Sequence, residues 1–130
     1  MLAEFRAEVV AVLAVALPDV AQWDEIPDDI AEVPCLVVGR PGARQTSTAV
    51  VFDLDLPVYV IGRRQRAGGA EDELTELADN VLAALGGTRG ARAPHGLTVA
   101  VVRIDPRQLS IAGQECPAYA VQVEASATTC

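Results

Sequence analysis

Apolar residues recur along this chain with two different periods, and each change of period marks an element. Over residues 50–61 the period is two: Val50, Phe52, Leu54, Leu56, Val58 and Val60 share one parity, and Val51, Asp53, Asp55, Pro57, Tyr59 and Ile61 share the other. A strand with one buried and one wet face has this signature. Residues 62–69, rich in Arg and Gly, break the alternation. Leu74, Leu77, Ala78, Val81, Leu82 and Leu85 then recur at helical spacing until Gly86 and Gly87, which predicts an amphipathic helix with a glycine stop. A first helix is predicted over residues 2–17, where Leu2, Phe5, Val9, Val12, Leu13 and Ala16 form a stripe that Pro18 ends.

The remaining apolar runs are shorter. Residues 34–40 form one bounded by Pro34 and Gly39, hence a strand, followed over 41–48 by an exposed loop. Pro57 cannot donate to a ladder, so it marks an edge, a bulge or a break in its strand. Residues 97–105 are apolar on both parities, which predicts a central strand closed by Pro106. Two shorter strands, 108–112 and 118–125, flank a connection over 113–117, and residues 126–130 read as a frayed tail. Residues 19–33 read as an ordered connection pinned by Trp23. The order is helix, two strands, helix, three strands. This predicts an α+β fold in which a single, mostly antiparallel sheet carries two helices packed on one face. Asp53, Asp55, Gln122 and Glu124 fall on the opposite face, left to water or to a partner.

At 130 residues the chain suits one domain, 1–130, with one core. Its basic residues, 10 in all, are Arg without a single Lys, against 18 carboxylates, giving a net charge of −8. An acidic surface repels a phosphate backbone, so nucleic acid is not expected as an affinity target. The charge is uneven: residues 1–35 carry eight carboxylates against Arg6, whereas Arg40, Arg44, Arg63, Arg64 and Arg66 cluster between residues 40 and 66. Such polarity can orient subunits against one another. No apolar run reaches the roughly 18 residues of a membrane span, and no signal peptide is legible, so a soluble product of a cytosol is expected.

Candidate chemistry is thin. Asp53 and Asp55 are neighbours on one strand face, yet no nucleophile or second acid is tied to them. Asp24, Glu25, Asp28, Asp29 and Glu32 have the composition of a hard-cation cage without its spacing. Residues 62–69 contain neither GK[ST] nor GxGxxG, so Arg63, Arg64 and Arg66 are read as a protein-contact loop rather than a phosphate cradle. His95 stands alone in a loop. Cys35 reads as core, and three cysteines without CxxC spacing read as thiols. Neither catalysis nor a cofactor or metal is expected. The interface candidates are Arg40, Arg44, Arg63, Arg64, Arg66, Asp53 and Asp55.

The order of features resembles the tail terminator proteins of long-tailed, siphovirus-type bacteriophages, particularly those of actinobacteria. The resemblance spans nearly the whole chain: the opening helix to Leu17-Pro18-Asp19-Val20, then Trp23 with Ile26 and Pro27, then Pro34-Cys35-Leu36-Val37-Val38. It continues through Phe52 to Leu56, Val58 to Gly62, the helix over 71–79, and Pro117 to Val121; it is one of pattern and composition, without a signature motif. It implies an α+β virion protein, assembled in the host cytoplasm. Its subunits would form a hexameric ring at the head-proximal end of the tail tube, stop tube polymerisation and dock the head-side connector. The implied partners are further copies of the chain, the major tail tube protein and the connector, with DNA passing through the lumen unbound and no membrane involved. A ring of this kind needs a heterologous interface, two different patches that fit each other. Pro57 departs from the pattern, because it interrupts a strand that would otherwise pair with a neighbour. The alternatives are another head-to-tail joining protein of the same virion, or a small non-catalytic regulatory or ligand-binding domain.

Overall fold

The protein is described by a computed structural model over residues 2–25, 34–45, 51–62, 70–86, 98–111 and 113–128. The elements run α1 (Leu2–Ala16), β1 (Ala21–Trp23), β2 (Cys35–Val38), β3 (Gly42–Gln45), β4 (Val51–Ile61), α2 (Ala70–Gly86), β5 (Thr98–Ile111) and β6 (Gln114–Thr128). The strands form one sheet in the order β1-β2-β4-β6-β5, with β3 also on β4. Among the described residues only the β1–β2 pairing is parallel. The fold is α+β, as the alternation of periods predicts.

Both helices pack on one face because their apolar stripes and one parity of the sheet are complementary. Phe5, Val9 and Leu13 of α1 and Leu74, Leu77, Val81 and Leu85 of α2 join Leu36, Val38, Leu54, Leu56, Val58, Val60, Val121, Val123 and Ala125 in one buried cluster. Each large side chain so buried contributes about 1.5–3 kcal/mol relative to leaving it in water. Gly62 follows β4, where an added Cβ would stand 3.1 Å from Cβ of Leu74, so this glycine lets α2 lie close on the strand end.

The opposite face is not wholly open. Cys35, Val37, Ile61, Ile111, Cys116 and Ala118 form a second, smaller buried cluster. The register Cys35↔Ile61↔Ala118 puts three of them in one row across β2, β4 and β6. The expectation of a largely accessible outer face is therefore corrected: half is core, and the wet half is the band around Asp53, Asp55, Gln122 and Glu124.

Pro57 shapes the middle of the sheet. β2 and β3 lie along the same side of β4, with Val38 opposite Val58 and Gly42 opposite Asp55. Residues 39–41 thus stand against Leu56 and Pro57 alone, a one-residue bulge. Gly39 donates its N–H to Pro57 O at 2.9 Å. In an antiparallel pair the returning bond would come from residue 57 to Gly39 O, and proline has no proton to give. Arg6 of α1 takes that place: its Nε donates to Gly39 O at 3.2 Å and its Nη2 to Val38 O at 3.0 Å. Nη2 also meets Asp24 Oδ1 at 2.6 Å. Residue 39 is glycine for a related reason, since a Cβ there would stand 2.8 Å from Cγ of the Pro57 ring.

Several expectations about the strands are corrected. Two strands are predicted before α2 and four are found among the described residues, because Gly42–Gln45 pairs with β4 and Ala21–Trp23 pairs with β2. Trp23 lies on that edge strand and is 38% exposed rather than buried, and residues 26–33 of the expected connection lie outside the described residues. Two strands, not three, follow α2 among the described residues. β5 runs unbroken through Pro106, and it lies at the sheet edge rather than its centre. An edge strand has ladder bonds on one side only and tolerates a proline. The apolar run on both parities has another cause: a bulge between Val101 and Arg103 shifts the register, so Val101 pairs with Val123 and Ile104 with Val121. Gly113, just before β6, has φ 77°, and Gln114 to Pro117 belong to β6. Ser126 to Thr128 extend β6 against β4 instead of fraying.

Replacing Arg6 by Met, which keeps the stem and removes the donors, should cost about 2 kcal/mol, the worth of losing hydrogen bonds from a charged group. Gly39→Ala should cost about 1–3 kcal/mol through overpacking against the proline ring. Urea denaturation checks both, and each loss should shrink in a Pro57→Ala background, where the ring is gone and the ladder N–H is restored.

Candidate functional site

Two surfaces carry the polar and apolar features that the core does not absorb. The first is the wet band of the outer face. Along β4, Asp55 stands opposite Glu124 of β6 and Gly42 of β3, while Asp53 stands opposite Arg44 of β3 and Ser126 of β6. Arg44 Nη2 approaches Asp53 Oδ2 at 3.8 Å, a long and largely exposed ion pair that contributes under about 1 kcal/mol. On β5, Arg103 Nε meets Asp105 Oδ2 at 2.6 Å. The Asp55–Glu124 pair is unfavourable: directly opposite residues hold their Cβ atoms about 5 Å apart, and like charges there repel. Asp55 Oδ1 leans over Gly42, 2.6 Å from where a Cβ would sit. The band is acidic on balance.

The second surface is on the helix side. A groove of about 310 Å³ lies between the last turn of α1 and the first half of α2, lined by Leu17, Pro18, Asp19, Val20, Glu73 and Leu77 among others. It exists because Pro18 stops α1. The chain then turns, with Leu17 N–H still bonded to Leu13 O at 2.8 Å and Val20 N–H to Leu17 O at 3.2 Å. Its floor is apolar, with Leu17 and Leu77 almost fully buried. Its rim is acidic, carrying Asp19, Glu73 and Glu76. Next to it, α1 presents an outer side of Ala3, Ala7, Ala11, Ala14 and Val15, all exposed, with Val15 83% accessible.

Of the residues singled out from sequence, Arg44 and Asp53 are brought together, and Asp55 lies beside them on the same band. Arg40 is exposed at the bulge next to Gly39. Arg63, Arg64, Arg66 and His95 lie outside the described residues. Cys35 is core, as expected, and Cys116 is buried with it. Asp24 of the acidic stretch binds Arg6, while residues 28–32 lie outside the described residues. Among the described residues no group of three His, Cys, Asp or Glu side chains is placed to hold a metal ion, and no helix is long and apolar enough to cross a membrane. Sequence reading missed Arg6 and the groove. The signal for the first is present: a proline in a central strand leaves a carbonyl without its partner, and a donor must come from elsewhere. The groove has no local signal, because its walls come from three separate parts of the chain.

No protein-family model matches the sequence, and no curated protein matches it.

The opposed carboxylates give a direct expectation. Glu124→Arg should raise stability by roughly 0.5 kcal/mol, by replacing a like-charge cross-strand pair with an opposite one. The gain should shrink in 1 M salt, where screening acts within about 3 Å. An unchanged urea midpoint at low salt would mean that the two carboxylates do not meet.

Proposed function

We propose that the chain is a non-catalytic building block of a bacteriophage tail. In this reading it is the terminator, forming a hexameric ring at the head-proximal end of the tail tube, ending tube growth and receiving the head-side connector. The observation that carries an assembly role is α1. It has apolar residues on both sides but packs only one of them, leaving the Ala3, Ala7, Ala11 and Val15 side in water. A helix apolar all round is normally covered all round. A protein neighbour is the ordinary cover for such a surface.

Two further features favour a ring whose subunits meet through side chains rather than through a shared sheet. On one side the sheet ends in two short strands, β1 of 3 residues and β3 of 4 residues. The other, β5, carries Pro106, a bulge, and the charges of Arg103, Asp105 and Arg107, all devices that discourage strand addition. The acidic band of Asp53, Asp55 and Glu124 suits a lumen wall, past which DNA slides because like charges do not bind. The specific choice of terminator rests on the resemblance in sequence pattern.

Imaging of tails assembled with and without the protein tests this reading. Overlong, headless tubes are expected in its absence, and tails of normal length joined to heads would overturn it. Val15→Asp should leave the urea midpoint within about 0.5 kcal/mol of the parent, as surface changes do, while abolishing tail termination. Unimpaired termination by that variant would remove α1 from the interface.

A further inference from the structure

We infer that the groove between α1 and α2 is a docking site for a basic segment of a different protein, one that lays an arginine along the groove floor with its guanidinium reaching the carboxylates of Asp19 and Glu76. The inference goes beyond the tail reading and does not depend on it.

The groove offers acceptors over an apolar floor. Leu17, Val20 and Leu77 supply the floor, and Asp19 and Glu76 stand on the rim. Neither of these carboxylates makes an ion pair among the described residues, whereas Glu73 on the same rim is already engaged. α2 carries no basic residue from Ala70 to Gly86, so its acidic wall is not offset from within. The end of α1 adds acceptors without adding a donor. The last carbonyls of a helix carry about half a negative charge, α1 has no basic residue in its last turn, and Pro18 has no N–H to return to Ala14 O. Among the described lining residues, Asn80 alone has a side-chain hydrogen to donate. A site made of acceptors selects a donor-rich cation, and the apolar floor selects one with an apolar stem. Arginine has both.

A peptide segment is favoured over a free amine because the apolar surface continues past the groove. Ala16 lines it, and Ala14 and Val15 beside it belong to the uncovered side of α1, Val15 being 83% accessible. A segment can follow that track, and a small cation cannot. A different protein is favoured over a second copy by charge. Of the described arginines, Arg6, Arg44 and Arg103 already pair with Asp24, Asp53 and Asp105 of their own chain, and the others, Arg40 and Arg107, have β4 and β6 between them. The described surface therefore has no cluster of cations to offer a neighbouring groove, and a net charge of −8 draws basic partners at long range.

Fluorescence polarisation on the full chain tests the site with a labelled peptide of alternating leucine and arginine, set against the same peptide carrying citrulline, the neutral isostere, at each arginine. The arginine peptide should bind roughly tenfold more tightly, and the gap should narrow in 1 M salt. Asp19→Asn with Glu76→Gln should weaken the arginine peptide roughly tenfold and leave the citrulline peptide unchanged. Glu25→Gln with Glu115→Gln makes the same change of net charge at exposed positions that do not line the groove, and should leave both peptides unchanged. In the parent, NMR signals of the Leu17, Val20 and Leu77 methyls should shift when the arginine peptide is added, which locates the site without any substitution. The inference is overturned if the two peptides bind alike, if the control pair weakens binding as much as the groove pair does, or if those methyl signals stay still. It gives way to a small-molecule site if arginine amide alone binds as tightly as the peptide. It gives way to a second copy if the parent self-associates in sedimentation and Asp19→Asn with Glu76→Gln dissolves that assembly. The tail reading is judged by the imaging of tails alone, so the two fail separately.

Discussion

The bond that Pro57 cannot make organises the centre of this molecule. A proline in an interior strand removes one ladder donor, and the partner carbonyl on Gly39 must be satisfied from outside the sheet. Arg6 does so from α1, and the same guanidinium reaches Val38 O and Asp24. That contact ties the first helix to the point where β2 leaves β4, alongside the apolar packing of Phe5, Val9 and Leu13. The proline also bends the neighbouring strand, because β2 cannot continue straight past the proline and restarts as β3 one residue out of register.

Several properties follow from that bend. Arg40 is exposed at the bulge, and Gly42 and Arg44 lie against Asp55 and Asp53. The polar band of the outer face is thus built at the β3 end of β4, while the β2 end carries the smaller apolar cluster of Cys35, Val37 and Ile61. The two faces of the sheet then differ in kind. One carries both helices; the other is core at one end and carboxylate-rich at the other.

The edges and the helix layer divide the remaining surface by what each can bind. The edges do not invite another strand, since β1 and β3 are short and β5 is bulged, charged and interrupted by Pro106. The helix layer invites side chains: an Ala-rich side of α1 permits close approach, and the adjoining groove offers carboxylates over leucine. In the proposed assembly such a subunit meets its neighbours through helix faces and charge, and its acidic band is left to face a channel. The unevenness of charge along the sequence has its structural counterpart here, with Asp19 of the acidic first third on the rim of the groove.

The sequence by itself determined the class of fold, both helices, the long strand β4 and which of its parities is buried, because each rests on periodicity, a local property. Phe5, Val9, Leu13, Leu74, Leu77, Val81, Leu54, Leu56, Val58 and Val60 are core for that reason. It also placed Asp53, Asp55, Gln122 and Glu124 on one face. Only the tertiary structure decided the position of β5, since a bulge lets one run present both parities and so imitates a central strand. Only it revealed the short pairings of β1 and β3, whose sequences carry no alternation, the part played by Arg6, which acts on a carbonyl 33 positions away, and the groove. Those features arise from which segments meet, and a pairing between distant segments leaves no period behind in either of them.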